Sequence, residues 1–269
     1  MRARGMDISH YQGNFKYKGN RDFIIIKATE GWSWTDPRFE EYLPEVQKVP
    51  IRGAYHYFRT GMDPLAQADF FWRTVKDHGF HFLAVDYEKT NNTLDEDGEL
   101  NLWAFWLKLA SLSNLPVVLY TSPYIFRDNL CKHNKGWESV PLWMAHWNGL
   151  DQENGSPAVF DASGWLLWQW TNAGRGSDFG VSSDTVDLDV YNGTVEEMRV
   201  RFIKENVMPK KIWTSKTIIF FVLSILVAVA GYFGFADFQL SGDQAEILTI
   251  IVSVIGIILR FITKEPVEL

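Results

Sequence analysis

The sequence predicts an α/β chain: an irregular TIM-like barrel over about the first 200 residues, then a C-terminal α-helical membrane hairpin. Three observations predict this. Apolar runs alternate with capped, helix-spaced segments through about residue 131, a pattern that makes a parallel sheet with right-handed crossovers. Beyond that point strands follow one another without convincing helices. From Thr217 the composition turns abruptly apolar.

Taken in order, residues 5–13 read as a very short strand breaking into a loop, with Asp7 near its end. Residues 23–28 (Phe-Ile-Ile-Ile-Lys-Ala) form an apolar run typical of a strand buried on both faces, followed by Thr29-Glu30-Gly31. Asp36-Pro37 predicts a helix to about Val46, with Asp as the cap and Pro in the first turn. Residues 51–58 are a third strand, and Asp63-Pro64 repeats the helix-start pattern through about Lys76. Residues 81–88 (His-Phe-Leu-Ala-Val-Asp-Tyr-Glu) are a fourth strand ending in two acids. Strand alternation points Asp86 and Glu88 the same way, roughly 6–7 Å apart at Cβ. Carboxyls so placed raise each other's pKa and suit acid/base chemistry. A polar loop over 90–99, a helix over 100–112, a strand over 115–120 and a helix capped by Ser122 follow. Residues 141–147, 165–171 and 185–191 read as strands, and 195–206 as a closing mixed-charge helix. Asp7, Glu30, Asp86, Glu88, Tyr120, His146, Gln169 and Asp187 fall at or just past strand ends, where β/α barrels carry their reactive groups.

Composition narrows the function. The net charge of −7 resides entirely in the first 209 residues, against the basic face of a nucleic-acid binder. Phosphate-loop and nucleotide motifs are absent, so no nucleotide and no cofactor is expected. Cys131 is the single cysteine, which excludes an intrachain disulfide and fits a reducing compartment. No apolar segment of the signal-peptide kind precedes the first strand. Twelve Trp exceed what a core requires; surplus Trp and Tyr either line sugar-binding clefts or fill the core. Tyr55, Tyr57, Tyr120, Trp143, Trp168 and Trp170 are the candidates, and alternation sends about half of them inward. His56 and His146 read as hydrogen-bonded structural histidines. His78-x-x-His81 lacks a metal-site partner, so no metal is expected. Lys27 and Glu30 are placed to pair near the cleft.

Read together, the strand ends resemble the glycoside hydrolase family 25 lysozymes. The resemblance rests on eight short motifs in the family's order over residues 5–193: Met-Asp-Ile-Ser-His-Tyr-Gln-Gly (6–13), Ile-Lys-Ala-Thr-Glu-Gly (26–31), Gly-Ala-Tyr-His-Tyr-Phe (53–58) and Val-Asp-Tyr-Glu (85–88), then Leu-Tyr-Thr-Ser (119–122), Leu-Trp-Met-Ala-His-Trp (142–147), Trp-Gln-Trp-Thr (168–171) and Val-Asp-Leu-Asp-Val-Tyr (186–191). It implies a barrel of five β/α units followed by three strands, with peptidoglycan glycan strands as substrate. It implies Glu88 as general acid, and Asp86 as nucleophile or as the residue orienting the substrate's N-acetyl group. Asp7 and Asp187 become flanking carboxylates that tune the pair and position the sugar, and the three acids around Glu88 are expected to keep its proton on by like-charge repulsion. Tyr55, Tyr57, Tyr120, Trp143, His146, Gln169 and Asp189 become substrate-binding candidates. Two departures stand out. Residues 14–22 are short for a helix, and Asp189 occupies a position where an amide is common, either as a fifth acid of the site or solvated at its rim. The rival from another class is a catalytically inactive, wall-sugar-binding barrel.

The division expected is a catalytic barrel over 1–208, a basic linker over 209–216, a two-helix hairpin over 217–264 and a tail over 265–269. Residues 218–236 form an uncharged run near the ~20 that a bilayer crossing needs, and 245–262 a weaker one. Lys210, Lys211 and Lys216 precede the runs, and Arg260 and Lys264 end them, so the positive-inside rule puts both ends and the barrel on the cytoplasmic face. The lipid bilayer is therefore an expected partner. The whole suggests a phage-type lysis enzyme, its hairpin acting as a tether or in holin fashion.

Overall fold

The computed structural model describes residues 1–88, 96–130, 135–160 and 164–203. The linker, the hairpin expected over 217–264 and Cys131 lie outside the described residues. Among the described residues no helix is long and apolar enough to cross a membrane.

Nine strands form one sheet: β1 (Arg4–Ile8), β2 (Phe23–Glu30), β3 (Trp34–Thr35), β4 (Ile51–Tyr57), β5 (Phe82–Asp86), β6 (Val117–Thr121), β7 (Leu142–Ala145), β8 (Leu167–Arg175) and β9 (Thr185–Tyr191). Their order is β1-β9-β8-β7-β6-β5-β4-β2-β3, and β1 also pairs with β2. That extra pairing closes eight strands into a barrel and leaves β3 as a short antiparallel extension of β2. Helices α1 (Phe39–Val46), α2 (Pro64–Val75), α3 (Glu96–Leu112), α4 (Pro123–Asn129), α5 (Gly176–Phe179) and α6 (Val195–Phe202) complete the fold.

Alternation along the strands sorts the apolar residues into two layers. Phe23, Ile25, Phe82, Ala84, Val118 and Trp143 fill the barrel interior. Ile24, Ile26, Leu83, Val85 and Leu119 face outward, under Phe39, Tyr42, Phe71 and Phe105 of the helices. Gly5 and Gly53 make room inside the barrel, since a Cβ on either would stand 2.2 Å and 2.5 Å from the rings of Phe23 and Phe82. Met198 and Phe202 of α6 join the interior cluster, and Phe202 stacks on Phe82 at 4.4 Å, so the last helix stops the end of the barrel where the strands begin. The Thr194–Glu197 capping box fixes its start.

Several expectations are corrected. The first unit has no α-helix: a 3-10 turn, His10–Gln12, stands where one was implied, so helices follow the parallel strands only from β2 to β6. The strand carrying the acid pair stops at Asp86, and Glu88 lies past its end. Strand β9 runs antiparallel to both neighbours. Asp36 does not cap α1. Its carboxylate accepts from the His10 backbone N–H (3.0 Å) and ring Nδ1 (2.8 Å) and from the Arg38 N–H (2.9 Å), which ties the loop after β1 to the start of α1. Asp63 and Ser122 do cap their helices, accepting from Leu65 and Ile125.

Candidate active site

The interior faces of the strands converge at the end of the barrel opposite α6. Asp7 of β1, Asp86 of β5, Tyr120 of β6 and Gln169 of β8 project there, with Glu88 just beyond β5. Asp187 sits near the start of β9, yet it arrives at the same end because β9 is reversed; it pairs directly with Asp7 across the ladder. Asp7, Tyr55, Asp86, Glu88, Tyr120, Trp143, Gln169 and Asp187 line one crevice of about 90 Å³. Eight of the eleven residues singled out in the sequence are thus brought together.

The other three lie elsewhere. His146 lines a larger neighbouring cavity of about 320 Å³, which Glu88 and Tyr120 share with Ser122, Tyr124, Ile125, Ala145 and Trp147. Its Nδ1 accepts from the Ala158 N–H (3.0 Å), so its structural role coexists with a place in the wall. Tyr57 does not line the crevice; its ring lies against the cations of Lys27 (4.7 Å) and Arg59 (5.0 Å). Asp189 is not at a solvated rim. It is 1% exposed, enclosed between β1 and β8, and its Oδ1 accepts from Trp143 Nε1 at 2.7 Å. Trp143 itself is buried, so it offers the crevice an edge rather than an open stacking face. Trp168 is core, its Nε1 donating to the His146 carbonyl (2.8 Å).

Gln169 is oriented without ambiguity. Its Oε1 accepts from Tyr120 Oη (3.1 Å) and Trp147 Nε1 (3.1 Å), so its Nε2 is the group that donates to Asp7 Oδ2 (2.8 Å). Lys27 and Glu30 pair as expected, Nζ to Oε2 at 2.7 Å, and Arg59 Nε donates to the other Glu30 oxygen at 2.8 Å. Buried His56 bonds Thr29 (2.8 Å) and Gln67 (3.3 Å), and burial holds its pKa down to about 3, as befits a neutral structural imidazole. Among the described residues no group of His, Cys, Asp or Glu is placed to hold a metal ion.

Burial sets the electrostatics. It pushes Asp86 well above the usual aspartate value, with the neighbouring Glu88 charge adding and Lys27 opposing. It likewise raises Glu88, which hydrogen-bonds Asp86. The expectation that like-charge repulsion would hold the Glu88 proton is therefore corrected: burial raises its pKa, while the contact with Asp86 and the charge of Lys27 both favour its ionised form. Asp187 is pushed to about 6, by burial and then by Glu88. Asp86 Oδ1 is buried without a donor among the described residues.

Residues missed in the sequence are Arg59, Tyr124 and Trp147. Trp147 closes the sixth of the eight motifs, is 55% exposed, and was the available signal for the second cavity. Tyr124 stands two residues after Ser122 in the turn into α4, a place that local pattern does not mark.

The family model for glycosyl hydrolases of family 25 matches residues 6–179. Lysozyme M1 of Streptomyces globisporus is 29% identical over 214 residues, 73% of this chain and 70% of the relative. The solved lysozyme of Streptomyces coelicolor superposes with a TM-score of 0.65 at 26% identity, over 75% of this chain and 97% of that one. A muramidase from Trichobolus zukalii gives 0.62 at 27% identity, over 74% and 98%.

Proposed function

The chain belongs to the glycosyl hydrolases of family 25, and from that premise we propose that it is a lysozyme of the N-acetylmuramidase type, hydrolysing the β-1,4 bond between N-acetylmuramic acid and N-acetylglucosamine in peptidoglycan. The observation that carries this reading is the contact of buried Asp86 with half-buried Glu88 at the mouth of the barrel, two acids that hold protons above their ordinary range. Glycoside hydrolysis needs one acid that keeps a proton for the leaving oxygen and another that ionises against the developing oxocarbenium charge.

Glu88 suits the first role because it keeps its proton above the ordinary glutamate range and lines both cavities, so a sugar chain lying across them passes its carboxyl. Asp86 suits the second: its Oδ1 is unpartnered, and Lys27 is the cation that favours its ionised form. That oxygen either attacks the anomeric carbon or orients the N-acetyl group. Asp7 and Asp187 frame the sugar opposite β5. Tyr120, Tyr55 and Gln169 contribute hydroxyl and amide groups to the floor, and exposed Trp147 offers a ring to the sugar beyond.

We further propose that residues 217–264 anchor this barrel to a bilayer as a helical hairpin, joined by the basic linker 209–216. The Lys and Arg flanks favour a cytoplasmic barrel, which meets the wall once the membrane is breached, as in phage-type host lysis. Mass spectrometry of purified walls digested by the protein tests the bond assignment. New reducing ends on muramic acid are expected; reducing ends on glucosamine would overturn it. Removal of residues 212–269 tests the anchor: the shortened chain should leave the membrane fraction, and continued sedimentation with membranes would refute it.

A further inference from the structure

Asp7, which lines the crevice, and Asp189 behind it are two buried carboxyls in contact, 7% and 1% exposed. Each has one N–H donor on one oxygen: Trp143 Nε1 on Asp189 Oδ1 (2.7 Å) and Gln169 Nε2 on Asp7 Oδ2 (2.8 Å). Asp189 Oδ2 is fully buried and has no donor among the described residues, and the Asp7 carboxyl lies within hydrogen-bonding reach of the Asp189 side chain. Two bare carboxylates in such contact would repel without water to screen them. A single O–H between them supplies the missing donor and leaves the pair one negative charge.

We propose that Asp189 and Asp7 hold one proton between them, and that Asp189 is thereby a positioning residue: it fixes Asp7 from behind and makes the pair present one negative charge to the crevice. Gln169 and Asp189 then hold Asp7 from two sides. The groups facing the pair leave it that proton. Asp187 on β9 opposes ionisation, and Lys27 on β2 faces Asp86 and Glu88 instead. Tyr55 on β4 and Tyr120 on β6 are uncharged, their hydroxyl pKa values driven up by burial and by these same acids. Among the described residues Arg21, in the loop before β2, is the cation that favours an ionised Asp189, and burial of Asp189 outweighs it, so its pKa is pushed up to about 8.

The proposal deepens the muramidase reading by saying how Asp7 is held, but its test needs no substrate. Folding that takes up a proton is favoured below the carboxyl's unfolded value and loses that advantage as pH climbs through the folded one. For a single proton the folding constant changes by up to about tenfold per pH unit in that window. Urea unfolding of the full chain in detergent, from pH 5 to pH 9, reads this directly. In Asp189→Asn the amide donates to Asp7 without needing a proton, so the decline with rising pH should be shallower than in the wild type by up to that amount. Asp189→Val, which supplies no donor, should be less stable than the Asn variant at neutral pH. An Asn variant as steep as the wild type would overturn the proposal, and so would a Val variant as stable as the Asn one. Should the Asn variant not fold, Asp7→Asn reads the same proton from the other side, and an unchanged slope there refutes it equally. Loss of the muramidase reading would show only in wall digestion and leave these slopes untouched.

Discussion

Two groups of acids meet at the mouth of this barrel, and they are built differently. Asp86 and Glu88, at the end of β5, face the ammonium of Lys27 and open onto two cavities. Asp7 and Asp189, on β1 and β9, are served by neutral donors, Gln169 and Trp143, and Asp189 lies behind the crevice. Burial raises the pKa of both groups. The difference lies in what can answer a proton's departure. A cation beside β5 stabilises the charge left behind, so that side can give up a proton and take it back. Behind β1 and β9 the donors are too weak to do so, and that side keeps its proton as structure. Asp187 stands between the two, titrating at about 6.

The largest test of this contrast is Glu88→Gln. It removes the proton donor while keeping shape, and should cost about 10²–10⁴-fold in wall hydrolysis. Retention on purified walls should survive; full hydrolysis would mean that the barrel's chemistry is elsewhere. Asp187→Asn should cost on the order of tenfold at neutral pH, the scale of one charge acting through an effective dielectric near 20. Because Asp187 is ionised above about 6 and neutral below, the same variant should flatten the acid limb of the pH–rate profile; an unchanged limb would place that titration on another group. Smallest is Lys27→Met. Lys27 is already paired with Glu30, so its loss is partly compensated. Both β5 acids should hold their protons more tightly, moving the pH–rate profile upward by less than about one unit. A downward shift would show that Lys27 does not favour their ionised forms.

Much of this site was legible in the sequence, for a physical reason. Strands buried on both faces announce themselves as apolar runs, and β2, β5 and β6 are almost wholly buried. Acids that interrupt such runs at their ends stand out, which is why Asp7, Asp86, Glu88 and Asp187 were found and why all four meet in one crevice. What was not legible depends on direction and on distant packing. The reversal of β9 leaves no mark on its alternation, since a strand pattern reads the same in both directions. Asp36 has the sequence of a helix cap but is claimed by His10, 26 positions away. Asp189 obeys the alternation that puts it beside Asp187, yet its burial is decided by β1 and β8 on either side. Arg59 joined the Lys27–Glu30 pair through a turn after β4 that no local spacing predicts.

The central claim is that burial makes Glu88 hold its proton above the ordinary glutamate range. The measurement that reaches it most directly is a ¹³C-carboxyl NMR titration of Glu88 in the full chain, assigned by comparison with Glu88→Gln. The account predicts a midpoint clearly above the ~4.3 of a free glutamate. A midpoint at that free value would contradict it.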